Sequence, residues 1–180
     1  RIVRLLDGVL ELSSIQAGET SVKPEPVDPA VLSAQVIARL SGSKGHSVRT
    51  RLEVPEPLGL VPLDRQLFSQ TLHHLVSNAI KFSRPGREVV VRLRRQDERI
   101  IIVVKDEGIG IPLADRSHAF DGFFRGGNVE DIPGTGLGLA IAKHSIELCG
   151  GTISFESQEG LGTTFTVTLP LSDALHSVSI

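Results

Sequence analysis

Apolar positions along the chain follow two spacings, and the switches between them mark the elements. Residues 1–17 carry Ile2, Leu5, Leu6, Val9, Leu10, Leu12 and Ile15 at helical spacing, and Gly18 stands where such a helix stops. One short helix cannot bury that stripe alone. Residues 22–27 read as a strand, and Pro24 and Pro26 make it an edge, because proline has no N–H for a neighbouring strand. Asp28 before Pro29 pairs a capping side chain with a ring preset for helix, and predicts a helix over 30–40. A loop at 41–45 leads to a strand over 46–54, which the proline-rich stretch 55–62 breaks.

The longest helical signal starts at the cap residue Asp64 and runs to Phe82, with Leu67, Phe68, Thr71, Leu72, Leu75, Val76, Ala79 and Ile80 as its stripe. At about 100° per residue, His74, Asn78 and Lys81 share one flank of that stripe and His73 falls on the other. Residues 88–95 and 99–105 then predict a hairpin turning at Gln96, Asp97 and Glu98. The unbroken apolar run 100–104 predicts a central strand covered on both faces. A last amphipathic helix is predicted over 137–149, closed by Gly150 and Gly151. Residues 152–156 pair with 163–169 through the turn at 158–162, and 172–180 reads as a frayed tail.

With 180 residues, 40% of them hydrophobic, the chain can bury a core of one domain with an appendage. A net charge of −2 gives no general attraction to nucleic acid or to anionic membrane. Arg92, Arg94, Arg95 and Arg99 lie without aromatic interleaving and read as a solvated strand face rather than a nucleic-acid surface. The single cysteine, Cys149, allows no internal disulfide and fits a reducing compartment. No apolar run nears the roughly 20 residues that span a bilayer. The chain opens on Arg1 and holds no methionine, so it reads as a piece of a longer protein, with room for a membrane anchor upstream.

Chemistry concentrates between residues 106 and 139. Asp106-Glu107-Gly108-Ile109-Gly110-Ile111-Pro112 opens the stretch and Gly134-Thr135-Gly136-Leu137-Gly138-Leu139 closes it, around a loop of Gly, Asp and Arg. Glycine lets a ligand approach the main chain, and the second cluster runs into a helix whose free N–H groups favour an anion. The combination points to a nucleotide under a mobile segment. A P-loop is ruled out because no lysine follows a glycine cluster in register. The dinucleotide fingerprint fails for want of its third glycine.

Four boxes in order, Asn78-Ala79-Ile80-Lys81-Phe82-Ser83, Asp106-x-Gly108-x-Gly110, Phe120-x-x-Phe123-Phe124-Arg125 and Gly134 to Leu139, resemble the ATP-binding catalytic domain of sensor histidine kinases over about 64–170. The resemblance implies an α/β (α+β) two-layer sandwich, a mixed sheet of about five strands with three main helices on one face, known as the Bergerat fold. It also implies ATP and Mg²⁺ as cofactors. Asn78 is then the Mg²⁺ ligand, Lys81 a phosphate neighbour, and Asp106 the acceptor of the adenine amino group. Gly108 and Gly110 let the backbone pass under the base. Residues 113–133 become a lid with Phe120, Phe123 and Phe124 as its latch and Arg125 as the γ-phosphate contact. The backbone of Gly134, Thr135, Gly136, Leu137, Gly138 and Leu139 holds phosphate, and Thr163 lies near it.

Leu10-x-Leu12-Ser13-x-Ile15-x-x-Gly18 is similar to the end of the second dimerisation helix of that family, so 1–18 is assigned to it, 19–171 to the catalytic domain and 172–180 to a tail. A terminal helix packed on its own domain is the other reading of 1–17. The implied activity is transfer of the ATP γ-phosphoryl group to a histidine on a dimerisation hairpin outside this sequence, and onward to an aspartate of a response regulator. The implied setting is a cytoplasmic domain of a homodimer. His74 departs from the pattern, which has Asn four residues before the metal asparagine, while related gyrase-like ATPases place a water-activating Glu there. A tolerated variant, a weakened or regulated site, and an unusual base remain three readings of it. The first keeps the kinase. The second makes the chain a degenerate regulatory module, and the missing Glu argues against an independent ATPase.

Overall fold

The computed structural model describes residues 21–41, 48–129 and 132–171. The stripe at 1–17, the loop at 42–45, residues 130–131 of the lid and the tail at 172–180 lie outside the described residues. In chain order the elements are β1 (Glu25–Val27), α1 (Pro29–Ser41), β2 (Arg49–Glu53), β3 (Val61–Leu63), α2 (Arg65–Phe82), β4 (Glu88–Gln96), β5 (Arg99–Lys105), α3 (Gly138–Leu148), β6 (Thr152–Gln158) and β7 (Gly162–Pro170). Strands β2-β4-β5-β7-β6 form one sheet in that order, with β2 parallel to β4 and every other pair antiparallel. The three helices cover one face, α1 against β2, α2 against β4 and β5, and α3 against β6. This is the expected mixed two-layer sandwich.

Strand alternation decides which face is covered. Val89, Val91 and Leu93 of β4, Ile100, Ile102 and Val104 of β5, and Phe165, Val167 and Leu169 of β7 are all buried. The register sets Val91 opposite Val104, Leu93 opposite Ile102, and Ile102 opposite Val167, so these side chains share one face. The eight stripe residues of α2 are buried against it. Asp64 starts that helix as its N-cap, Oδ1 accepting from Gln66 N and Leu67 N at 2.9 Å each and Oδ2 from Lys23 N at 2.8 Å. Leu75, 0% exposed at the middle of α2, is a test of this packing. Leu75→Ala should lower unfolding free energy by about 2–5 kcal/mol in urea titration, and a loss below about 1 kcal/mol would contradict the core placement.

Two expectations are corrected. β5 is central, but among the described residues no second helix layer covers its far face. Ile101 and Val103 are shielded there by the neighbours in register, Arg94 and Thr168 beside Ile101, and Arg92 and Thr166 beside Val103. Long stems lying along the sheet hide apolar surface without a second layer. On this face Arg92 pairs with Glu53 at 2.5 Å and Arg51 with Glu88 at 3.1 Å. The stretch 55–62 is also more than a break, since it ends in β3, which pairs antiparallel with β1 and sets Pro26 opposite Pro62. No helix among the described residues is long and apolar enough to cross a membrane.

Candidate nucleotide-binding site

A cleft of about 580 Å³ opens between α2, the loop after β5, the lid and the start of α3. That lies within the usual range for small-molecule sites, about 300–1,000 Å³. Asn78, Lys81, Asp106, Gly110, Arg125, Thr163 and all six residues from Gly134 to Leu139 line it. Gly108 does not; it sits behind Asp106, donating its N–H to Asp106 Oδ1 at 2.9 Å.

Asp106, at the end of β5, is only 6% exposed. Its Oδ1 accepts from Gly108 N and, at 3.2 Å, from Thr163 N, while its own N–H reaches Thr163 O at 2.9 Å. Burial pushes its carboxyl up to about 6, against the pull of those two N–H groups. A carboxylate so placed can accept one further hydrogen bond from a ligand amino group, and the protein has fixed its orientation beforehand. Thr163, expected near phosphate, stands beside Asp106, its hydroxyl 2.8 Å from Ser157 Oγ.

The glycines after Asp106 are tight against protein rather than only open to a base. A Cβ on Gly108 would meet Phe82 O at 2.4 Å, where the loop crosses the end of α2. Gly110 adopts φ +67°, and a Cβ there would lie 2.1 Å from Gln158 O in the turn between β6 and β7. Any side chain at either would move the cleft floor.

Lys81 lies on the cleft flank of α2 with His74 and Asn78. Its Nζ lies 4.3 Å from the Phe82 ring centroid and 2.6 Å from where a Gly134 Cβ would stand. Burial, and next the charge of Arg125, hold its pKa below the ordinary lysine value. An arriving phosphate would relieve the second effect. Leu137, the N-cap position of α3, offers no capping side chain, and Leu137, Gly138 and Leu139 line the cleft, so the helix start has free N–H groups an anion could use. His74 Nδ1 and Asn78 Nδ2 both approach this helix start, 3.3 and 3.7 Å from a Cβ position on Gly138. His73, expected as an ordinary histidine on the other flank, also lines the cleft.

The lid contains two 3-10 turns, Leu113–His118 and Gly127–Val129. Its expected latch of three phenylalanines reduces to one. Phe120 packs on Phe155 and Phe165 with centroids 5.6 and 6.4 Å away, Phe124 leans on His118, and Phe123 is 58% exposed. Phe123 also holds φ +66°, a strained angle for an aromatic residue, with its N–H on Gly136 O at 3.0 Å. Arg125 donates to Val129 O at 2.6 Å and Ile132 O at 2.7 Å, within the lid. Asn128, not singled out in the sequence, donates from Nδ2 to Gly110 O at 3.0 Å and ties the lid to the floor. No box contains it, and only the folded loop brings it there.

Among known families, the profile described as histidine kinase-, DNA gyrase B-, and HSP90-like ATPase matches residues 63–173. The chain belongs to this family. Within it, the chain is 35% identical over 177 residues to the sensor histidine kinase WalK of Bacillus subtilis, covering 96% of this chain and 29% of that protein. It is 37% identical over 172 residues to the sensor protein DivL of Caulobacter vibrioides, covering 94% and 22%. It therefore spans less than a third of the length of these two relatives. Among solved structures, full-length ShkA in complex with AMPPNP superposes with a TM-score of 0.85 at 25% identity, covering 95% of this chain and 36% of that one. The mycobacterial sensor histidine kinase MprB gives 0.71 at 30% identity, covering 82% and 97%. The chain is an ATP-binding catalytic domain of the sensor histidine kinase type, and residues from all four sequence boxes line the cleft.

Proposed function

We propose that this domain, residues 19–171, donates the γ-phosphoryl group of ATP to a histidine on a dimerisation hairpin of which 1–18 is the end, for relay to a response regulator aspartate. The full protein on this reading is a homodimer with its catalytic domain in the cytoplasm and, where it is anchored, a membrane segment elsewhere in its chain. The supporting observation is the pairing, in one cleft, of a buried carboxylate at Asp106 with a cationic and amide-bearing flank, Lys81 and Asn78, beside the uncapped start of α3.

Those residues fit ATP. The Asp106 carboxylate selects an amino-bearing base, and the start of α3 with Lys81 takes phosphate. Asn78 supplies an amide oxygen for Mg²⁺, a hard ion that keeps waters and shares phosphate oxygens. Bound ATP with its ion brings the transferable phosphoryl group, and the protein's task is positioning and charge neutralisation. For Arg125 to reach a phosphate it must exchange the carbonyls of Val129 and Ile132, so its part is tied to lid movement.

Calorimetric titration of the chain with a non-hydrolysable ATP analogue, with Mg²⁺ and then with EDTA, tests this reading. Micromolar binding that weakens in EDTA is expected. A folded chain that binds no nucleotide would end it. His74 in the cleft favours a second reading, a regulatory module that binds nucleotide without transferring phosphate. A separately supplied dimerisation hairpin labelled by the chain from [γ-³²P]ATP supports the kinase, and nucleotide binding without labelling supports the module.

A further inference from the structure

Ser157 stands on β6, outside the residues that line the cleft, yet three parts of the site meet on it. Its hydroxyl receives the N–H of Ile111, from the loop after Asp106, at 2.8 Å, and lies 3.1 Å from Gly162 O and 2.8 Å from Thr163 Oγ1 on β7. Its carbonyl accepts from Arg116 at the root of the lid. The register sets Ser157 opposite Thr163, so the two side chains share one side of the sheet.

A hydroxyl has one proton to give, and that decides how these contacts run. The N–H of Ile111 can only donate and the carbonyl of Gly162 can only accept. All three contacts are hydrogen bonds at once only when Ser157 gives its proton to Gly162 O and takes one from Thr163. The Thr163 oxygen then has nothing but lone pairs for any other partner. Thr163 is buried, lines the cleft and stands against Asp106, its N–H on Oδ1 at 3.2 Å. Gly108 N shares that oxygen, which leaves Oδ2 to a ligand. Two neighbouring acceptors therefore meet the base. The exocyclic amino group of adenine brings N–H donors to them, whereas the keto group of hypoxanthine or guanine brings lone pairs. A hydroxyl free to rotate would lose the distinction, since it could donate to a keto group as readily as accept from an amino group.

Resting on the nucleotide reading above, we propose that Ser157 is a positioning residue for base choice: it fixes the Thr163 hydroxyl as an acceptor beside the Asp106 carboxylate, and so favours adenine over keto purines. Ser157 itself touches neither base nor phosphate. Asp106 rewards the right base, and Ser157, through Thr163, denies the wrong one a hydrogen bond.

The test compares ADP with IDP, whose base is hypoxanthine, on the 180-residue chain in Mg²⁺. ADP is measured by calorimetry and IDP by displacement of ADP, for wild type, Ser157→Ala, Thr163→Val, the double variant and Ser157→Thr. The quantity read is the ratio of ADP to IDP affinity within each variant, because a loosened cleft floor weakens both nucleotides alike. Ser157→Ala should lower that ratio about threefold to tenfold, the scale of one hydrogen bond. Thr163→Val removes the acceptor and should lower it too, and adding Ser157→Ala to Thr163→Val should change nothing further. Ser157→Thr keeps the hydroxyl and should keep the ratio. An unchanged ratio in Ser157→Ala or in Thr163→Val, with ADP still bound, overturns the role of Ser157 while the nucleotide site stands. The same fall from Ser157→Ala with and without the Thr163 hydroxyl overturns it equally and moves the effect to Ile111 and its loop. If Ser157→Ala does not fold, a ratio that falls in Ser157→Thr as far as in Thr163→Val is the overturning result. A folded wild type that binds no ADP removes both readings together.

Discussion

In Asp106→Asn, adenine nucleotide should bind about 10- to 100-fold more weakly while the chain, relieved of a buried charge, melts no lower than wild type at neutral pH. The magnitude follows from the loss of a charge-assisted hydrogen bond, worth roughly 1.5–3 kcal/mol. An Asn at 106 keeps an oxygen for Gly108 N and Thr163 N, the two N–H groups that hold the present Oδ1, so the cleft floor survives. Its NH₂ then faces the amino group of adenine, donor against donor. Asp106→Ala is the less clean test, since it leaves those two buried N–H groups without their acceptor. Equal affinity of wild type and Asp106→Asn for ATP would falsify the assignment of Asp106 as the adenine contact.

The same residue predicts two pH effects of opposite sign. Nucleotide needs the ionised carboxylate, which in the free chain gains its proton near pH 6, so affinity should fall as pH is lowered from about 7.5 to 5. Folding responds the other way. With its folded value raised from 3.8 to about 6, Asp106 contributes stability that is fully present below about 3.8 and lost as pH rises through 6. The span is on the order of 3 kcal/mol, from 1.36 kcal/mol per unit. Acidification should thus stabilise the unliganded wild type relative to Asp106→Asn while weakening its hold on ATP. A wild-type affinity that is flat between pH 7.5 and 5 would show that the carboxylate does not face the ligand.

Much of the helix layer was legible because burial there follows one periodicity. Every residue of the α2 stripe expected from spacing is buried, and the same spacing set Asn78 and Lys81 on the cleft flank. Strands were harder where neighbours substitute for layers. The run Ile100 to Val104 is apolar on both sides, yet among the described residues only Ile100, Ile102 and Val104 face helices, and the other two stand in register beside Arg and Thr of the neighbouring strands. β3 was hidden by its own prolines, since Pro62 reads as a breaker until its partner turns out to be Pro26 on an edge. Within the site, the boxes named the residues but not their present contacts. That Asp106 is gripped by Gly108 and Thr163, or that Arg125 bonds Val129 and Ile132, depends on loop paths that no spacing encodes.

Asn78→Ala should abolish the dependence of nucleotide binding on added Mg²⁺ and, with it, phosphoryl transfer. The side chain sits on the flank of α2 in the cleft, outside the stripe that packs on the sheet, so its removal empties no core position. Alanine is also the better helix former, by up to about 0.7 kcal/mol, so the fold should hold or gain slightly. Loss of function with an unchanged or raised melting midpoint therefore points at the ion. Even an indirect partner of a metal commonly contributes 10- to 100-fold in affinity, and a direct ligand should contribute at least as much. Residual nucleotide binding should remain, carried by Asp106, Lys81 and the start of α3, and should be the same in Mg²⁺ and in EDTA. Mg²⁺ dependence that survives in Asn78→Ala would place the ion on other groups of the cleft.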